Sequence, residues 1–309
     1  MQIPESDPVQ AVPKETSLAE THSEILLGPV PLAPVWHTVV MIGGIVALSV
    51  GGSSQRHHVS SRLLTYGTTA ALELVMLGWV ALGLWLRRIP FRSLFGATTQ
   101  GFRGIALDLG IACVFWIGAL MILASVGVVW TGAEYAMTHQ HSPAHAGQPM
   151  ESNSAEKQNV RILEQLAPAS GAEVACWVLL CCLAGTIEEV VFRGYLQQQF
   201  TAWTKGGVVW GVVLSAVLFG AAHGYQGTRN MVLLAVFGAL FSVLRILRRS
   251  LRAGIFAHSW HDLIAGLTLA FLRAHHLIRK YRSTRDGALR RLLLVFPLAC
   301  RFLLDTERA

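Results

Sequence analysis

The sequence predicts an all-α fold, a polytopic integral membrane helical bundle of about 7–8 transmembrane helices. Hydrophobic residues make up 53% of the 309 residues, whereas charged residues make up only 14%. A soluble globular domain carries about a quarter charged residues, so this composition argues against an ordinary soluble protein. The mean hydropathy is +0.48, and apolar runs of about the length that spans a bilayer recur along the chain.

The chain divides into five segments, three of which are described first. Residues 1–34 hold five acidic side chains, one lysine and several prolines, which predicts a disordered tail and not a signal peptide. Three N-terminal transmembrane helices are predicted within residues 35–131, and four more within a helical core at residues 172–275. The seven apolar runs are 35–51, 63–86, 104–131, 173–196, 207–224, 231–247 and 254–272.

The two remaining segments are more polar. Residues 132–171 are predicted as a loop with an amphipathic helix at the membrane surface, because apolar residues recur there at helical spacing. The histidines His139, His141 and His145 favour a flexible loop over a metal site, since no regular structure holds them together. Residues 276–309 form a basic tail that contains either an interfacial segment or an eighth helix.

The positive charge of the chain indicates its orientation rather than a nucleic-acid partner. The formal net charge is +7, and arginines cluster in two loops, at residues 87–103 and 245–252. Such loops face the cytoplasm in multi-pass proteins, and no interleaved basic and aromatic pattern indicates DNA or RNA binding. We expect the lipid bilayer as a partner, no nucleic acid, and a location in the plasma membrane of a prokaryotic cell.

Charged residues inside apolar runs are functional candidates, because each needs a charged partner or water. In the stretch GTIEEVVFRGY, Glu189 and Arg193 are four residues apart and share one helical face, so they can pair. Glu188 lies about 100° around the helix axis and is left to face water, a substrate or another helix. A second interpretation stays open, in which all three groups lie among the lipid headgroups at the end of the helix.

Two later stretches carry histidines on apolar helices. His223 ends VLFGAAH, and HSWHD places His258 and Asp262 four residues apart on one face. If the chain turns at residues 204–207 and the helix before the turn is unbroken, Glu188 and His223 lie at about the same height in a hairpin. His258 is expected nearer the cytoplasmic end of its helix, displaced from His223 unless the seventh helix is tilted or sunken. Interfacial histidines are the alternative for both stretches.

Two acids in the N-terminal helices have no partner in the local sequence. Glu73 lies in ALELVML and Asp108 lies in ALDLG. We expect them to pair between helices, and a cavity lining is the alternative. A proton relay through Glu73, Asp108 and Glu188 would be typical of a transporter, but the sequence shows no inverted repeat that would favour one.

In this order, the three stretches of the C-terminal half resemble the CPBP family of intramembrane proteases, which comprises the CAAX prenyl protease type II and Abi-type enzymes. The family pattern is EExxxR on one span, FxxxH on the next, and HxxxN or HxxxD later. The matching residues here are Glu188, Glu189, Arg193, Phe219, His223, His258 and Asp262. The resemblance covers about residues 172–275, roughly a third of the chain.

The resemblance implies an intramembrane endopeptidase that hydrolyses a peptide bond with a glutamate-activated water. Glu188 would be the general base, and His223 would hold the water together with it. His258 and the residue at position 262 would stabilise the oxyanion. The family often has Asn at that position, whereas Asp262 donates a hydrogen bond only when it is protonated, so its expected role is to orient His258.

Several properties stay open at the level of the sequence. Glu189 and Arg193 would support the site. The resemblance is compatible with no cofactor, or with a divalent metal such as zinc held by Glu188, His223 and His258. The substrate would be a peptide or a membrane-protein segment, prenylated or not. The alternative functions are a non-enzymatic membrane scaffold or immunity protein, and a proton-coupled transporter.

Overall fold

The computed structural model describes residues 30–54, 61–96, 101–140 and 167–274. Helices dominate these ranges and no β-strand occurs in them, so the all-α fold class is confirmed. Most of the predicted disordered tail, most of the predicted surface helix and the interfacial or eighth helix lie outside the described residues. His141 and His145 lie outside them as well. Residues 30–34, predicted as the end of the tail, are described, and Leu32 and Ala33 are buried with their backbone N–H groups donating to Gln199.

Each of the seven predicted apolar runs forms a helical rod in the described ranges. One rod is composite, because a π-helical segment interrupts its α-helix. The helices are α1 (Val35–Ser54), α2 (Arg62–Leu86), α3 (Gly101–Gln140), the composite rod made of α4 (Gly171–Glu188), the π segment (Glu189–Leu196) and α5 (Gln197–Trp203), then α6 (Val208–Ala222), α7 (Thr228–Arg248) and α8 (Arg252–Ala274). Two short 3₁₀ turns, Phe91–Phe95 and Gly224–Gln226, lie between helices.

Four helical rods in the described part of the chain are long and apolar enough to cross a membrane. They lie at residues 62–86, 101–134, 171–203 and 228–248, and α1 and α6 are apolar but shorter. Large apolar side chains are exposed on the outside of the bundle, including Val75, Val114 and Val209. Such a surface is stable against lipid and not against water, so the protein is an integral membrane protein.

The polar loop begins later than predicted. Hydropathy predicts that the third helix ends at residue 131, but α3 continues to Gln140. The extension GAEYAMTHQ contains no proline and includes good helix formers such as alanine, glutamate and methionine. The helix therefore extends beyond the apolar run that predicts it, and His139 lies in its last turn instead of in the loop.

The composite rod and α6 form the hairpin that the sequence predicts. Residues 197–203 are helical, and the chain reverses at Lys205 and Gly206, whose φ angles are 55° and 91°. Positive φ angles are readily adopted by glycine, as at Gly206, and the two residues together close a tight connection between the helices. The hydroxyl of Thr204 donates to the carbonyl of Phe200 at 2.8 Å, which satisfies one of the last acceptors of α5.

The π segment lies in the centre of the protein. All eight of its residues are buried, and its apolar members, such as Val191 and Leu196, belong to the main hydrophobic core. The Ser215 hydroxyl of α6 donates to the carbonyl of Phe192 at 2.7 Å, so it satisfies a backbone acceptor of this widened helix. π-Helical turns are rare and frequently lie at functional sites.

A buried chain of hydrogen bonds joins α1 to the composite rod. The imidazole of His37 donates from Nε2 to the carbonyl of Trp79 at 2.9 Å, so its Nδ1 accepts from the Tyr195 hydroxyl at 3.0 Å. The Thr38 hydroxyl lies 2.8 Å from the same Tyr195 oxygen, and the Gln199 amide donates to Thr38 at 2.7 Å. These side chains are buried, so each bond replaces one that water would otherwise supply.

Replacing Tyr195 with Phe is expected to lower the free energy of unfolding by about 1–3 kcal/mol, because two buried polar groups lose a partner. The ring remains in place, so the change removes only the hydroxyl that bonds to His37 and Thr38. Unfolding in detergent, followed by circular dichroism, measures the loss. A Tyr195→Phe variant as stable as the wild type would show that the hydroxyl does not hold α1 against the rod.

Asp108 on α3 is paired between helices, as expected from the sequence. Its carboxylate is 1% exposed and lies 2.9 Å from the guanidinium of Arg248, and it also bonds to Arg252. These two arginines flank the turn between α7 and α8, so the acid ties α3 to that turn. Asp108 does not line the central cavity described below, which removes it from the proton relay considered for a transporter.

Candidate active site

Helices α2, α3, α4, α6, α7 and α8 surround a cavity of about 370 Å³ within the described part of the chain. Its walls include apolar side chains, among them Leu123, Leu233 and Phe237. The ionisable side chains that line it are Tyr66, Glu73, Cys181, Glu188, His223, Tyr225, His258, His261 and Asp262. The sequence-predicted residues Glu188, His223, His258 and Asp262 therefore share one chamber, although they come from three separate helical rods.

Glu189 and Arg193 lie behind the cavity wall and form the ion pair that their spacing predicts. Their charged groups are 2.9 Å apart, and both side chains are 1% exposed. The guanidinium carbon of Arg193 lies 4.2 Å from the centre of the Phe219 ring and 5.2 Å from that of Phe241. The buried cation is thus offset by one carboxylate and by the faces of two aromatic rings.

His258 is held between carboxylates. Its Nδ1 lies 3.0 Å from the Glu189 carboxylate, and its Nε2 lies 3.5 Å from Glu188 and 3.9 Å from Asp262. Glu189 also pairs with Arg193, so it is ionised and accepts the hydrogen of Nδ1. This bond fixes the ring orientation and directs Nε2 at the two cavity carboxyl groups.

The displacement of His258 expected from the sequence is wrong, because α8 packs closely against the composite rod. Gly185 of α4 faces Ser259 of α8, and a Cβ atom at Gly185 would lie 2.7 Å from the Ser259 backbone nitrogen. Gly254 of α8 leaves similar room for Glu189, whose Oε2 would lie 3.0 Å from an added Cβ. These two close approaches bring His258 to the level of the glutamate pair.

His223 ends α6 with its ring in a defined state. Its Nδ1 lies 2.8 Å from the carbonyl oxygen of Phe219, and a carbonyl only accepts, so Nδ1 carries a hydrogen. In the neutral ring the lone pair is therefore on Nε2, which can accept a hydrogen bond from water. The 3₁₀ turn Gly224–Gln226 follows directly and adds Tyr225 and Gln226 to the cavity lining.

Several polar lining residues were not assigned to the site from the sequence, among them Glu73, His261 and Asn230. Glu73 of α2 is 6% exposed and lines the cavity, so the alternative considered for this acid holds and no ion pair between helices is found for it. His261 accepts from the Trp116 indole at 3.2 Å, so its hydrogen lies on Nε2 when the ring is neutral. His261 lies within the HSWHD motif, which is the sequence feature that could have indicated its place in the site. Asn230 belongs to no recognisable motif.

The lining supplies donors of the kind that bind zinc, but their arrangement does not form a metal site. In the described ranges, no three His, Cys, Asp or Glu side chains are grouped so that they could hold one metal ion. Nε2 of His258 faces the carboxylates of Glu188 and Asp262 directly. No step in the mechanism below is therefore assigned to a metal.

Comparison with known proteins shows that the part of the chain around the site is similar to one family. Residues 170–264 match the family model for the type II CAAX prenyl endopeptidases, described as Rce1-like. The match begins at the residue that caps α4 and ends two residues after Asp262, so it includes every residue of the three motifs. Helices α1 to α3 lie outside it. No curated protein and no solved structure is detectably similar to the chain.

Proposed function

We propose that this chain, whose residues 170–264 match the family model of the type II CAAX prenyl endopeptidases, hydrolyses a peptide bond at or within the membrane by glutamate-activated water. The matched family consists of peptidases, which supports this reaction class. The observation that carries the proposed mechanism is the single cavity shared by Glu188, His223 and His258. A base, a group that holds water and a donor for the oxyanion are thereby available in one place.

Glu188 is the group best suited to take a proton from water. Glu189 forms an ion pair with Arg193. Glu188 instead lines the cavity and makes no ion pair with an arginine or lysine in the described residues. Nε2 of His223 accepts a hydrogen bond from the other O–H of the water. This orients the water so that an oxygen lone pair can attack the carbonyl carbon.

His258 supplies the charge that the reaction then requires. When the water oxygen bonds to the carbonyl carbon, negative charge develops on the carbonyl oxygen. A second hydrogen on His258 Nε2 can be donated to that oxygen, and the carboxylates of Glu188, Glu189 and Asp262 lie beside the ring to offset its positive charge. Asp262 is one third exposed and orients this nitrogen from 3.9 Å.

The test of the proposed function is peptide cleavage by the purified protein in detergent. Membrane-anchored peptides with and without a prenylated cysteine are incubated with the wild type, and products are identified by mass spectrometry. Replacing His223 with Phe is expected to lower the cleavage rate by about 10²-fold, because the phenyl ring offers the water no hydrogen-bond acceptor. Cleavage at the wild-type rate would remove His223 from the mechanism.

We further propose that the reaction proceeds without a bound metal, since the described side chains do not group around one position. Dialysis against a strong chelator, with metal content measured by mass spectrometry, is expected to leave the cleavage rate unchanged. A loss of activity that zinc alone restores would contradict this proposal and assign the three residues to a metal centre.

The topology, the location and the substrate class complete the proposal. We propose a multi-pass topology in the plasma membrane of a prokaryotic cell, with a peptide or membrane-protein segment as substrate. A non-enzymatic scaffold would retain full biological activity in a Glu188→Ala, His223→Ala double variant. A transporter would show uptake into proteoliposomes that depends on Glu73, and neither result is expected for a peptidase.

A further inference from the structure

A buried acid from outside the matched family segment enters the cavity. Glu73 lies on α2, whereas the family match begins at residue 170. The side chain is 6% exposed, and its Oε2 atom has no hydrogen-bond partner among the described residues. The acid thus shares the chamber with Glu188, His258 and Asp262 while it makes none of their mutual contacts.

The charges around the cavity leave Glu73 without a cation. No lysine or arginine is among the described residues that line it, and the nearby Arg193 is committed to Glu189. His258 faces Glu188, Glu189 and Asp262, so its positive charge is already offset. An ionised carboxylate removed from water and without a partner is strongly unfavourable, whereas a neutral carboxylic acid is tolerated. Glu73 is therefore best accommodated with a proton.

Peptide hydrolysis needs such a proton. An amide nitrogen is a poor leaving group until it is protonated, and Glu188 holds a proton only after it has taken one from the water, whereas a second, protonated acid can donate to the nitrogen from the start. Two carboxyl groups in one chamber with opposite protonation states are the arrangement by which enzymes combine an acid and a base at one pH.

We propose that Glu73 is a catalytic residue that donates its proton to the leaving amine, an inference that rests on the endopeptidase function proposed above. Glu188 accepts one proton from water as the water oxygen bonds to the carbonyl carbon. When the carbon–nitrogen bond breaks, the nitrogen keeps the electron pair and takes the proton from Glu73. A proton then passes from Glu188 to Glu73 across the cavity, which restores both groups.

The first test compares two leaving groups. Glu73→Gln is expected to slow cleavage of a quenched peptide that the wild type accepts by about 10²-fold. The p-nitrophenyl ester of the same acyl segment releases a phenolate that needs no proton, so its hydrolysis is expected to fall by less than about tenfold. Equal losses on both substrates, or no loss on the peptide, would overturn the role.

Two variants serve as controls in this comparison. Glu134→Gln makes the same change on α3, where the carboxylate accepts from the Trp130 indole and does not line the cavity, so both rates should stay at the wild-type level. Glu188→Gln removes the base and should slow both substrates. If Glu188→Gln slows both while Glu73→Gln slows neither, the proposed function stands and the role of Glu73 fails.

The second test does not depend on activity. Infrared spectroscopy of the wild type near neutral pH is expected to show the carbonyl band of a protonated carboxylic acid. This band should disappear in Glu73→Gln and persist in Glu134→Gln. A spectrum that Glu73→Gln leaves unchanged would mean that Glu73 is ionised, and it would overturn the inference even if no cleaved peptide were found.

Discussion

Replacing Glu188 with Gln is expected to lower kcat for peptide cleavage by about 10²–10⁴-fold, because the amide has the shape of the acid but cannot accept a proton from water. The side chain lines the cavity beside His258 and is not part of the Glu189–Arg193 pair. The fold should therefore persist, and the loss should fall on kcat more than on KM. Cleavage kinetics measure the loss of kcat, and a melting curve in detergent shows whether the fold persists.

Glu134→Gln is the matched control for this prediction. It makes the same chemical change in a half-buried acid on α3, and its hydrogen bond to Trp130 lies outside the cavity. We expect its kcat and melting temperature to remain close to those of the wild type. If Glu188→Gln cleaved as fast as the control, the glutamate could not be the base, and the mechanism proposed here would be wrong.

Replacing Arg193 with Met is expected to lower the free energy of unfolding by about 3–5 kcal/mol, because Glu189 is left buried without its cation. The carboxylate is 1% exposed, and its remaining close partner is the imidazole of His258. Arg193 also packs against the rings of Phe219 and Phe241, contacts that methionine can partly replace. Chemical unfolding in detergent measures the change.

A double variant separates stability from catalysis at this pair. Glu189→Gln with Arg193→Met removes both charges, and replacing a whole buried ion pair is often nearly neutral for stability. We expect the double variant to recover most of the stability lost in Arg193→Met. Its cleavage rate should stay low, because an amide no longer holds His258 as a carboxylate does. A double variant no more stable than Arg193→Met would show that the uncompensated charge of Glu189 does not cause the loss of stability.

The seven helices were predictable because each is encoded locally, in an apolar run bounded by polar residues. The end of α3 was not, because residues 132–140 are polar yet still favour a helix. The π segment was also hidden. EVVFRGYL has no feature that distinguishes it from an ordinary helix, and its wider turn is held by burial on all sides and by the hydroxyl of Ser215.

The candidate site was predictable where it depended on short-range geometry. The pairing of Glu189 with Arg193 followed from a spacing of four, and the level of His223 followed from one hairpin. The position of His258 did not follow, because it depends on the close approach of two helices that are distant in the sequence. Glu73 joins the cavity for the same kind of reason. The catalytic roles themselves stay predictions until the variants are measured.

The π segment also has a consequence for how this protein tolerates insertions and deletions. A π-helical turn closes its hydrogen bonds over five residues instead of four, so losing one residue between Glu189 and Leu196 would allow a continuous α-helix. Such a shortened chain would absorb the loss by narrowing the wide turn, so the residues after the deletion would keep nearly their present orientation, with Glu188 toward the cavity and Gln199 toward α1. The same deletion within an ordinary α-helix would rotate everything beyond it by about 100°. The loss of one residue is thus expected to disturb side-chain orientation less in this segment than elsewhere in the rod.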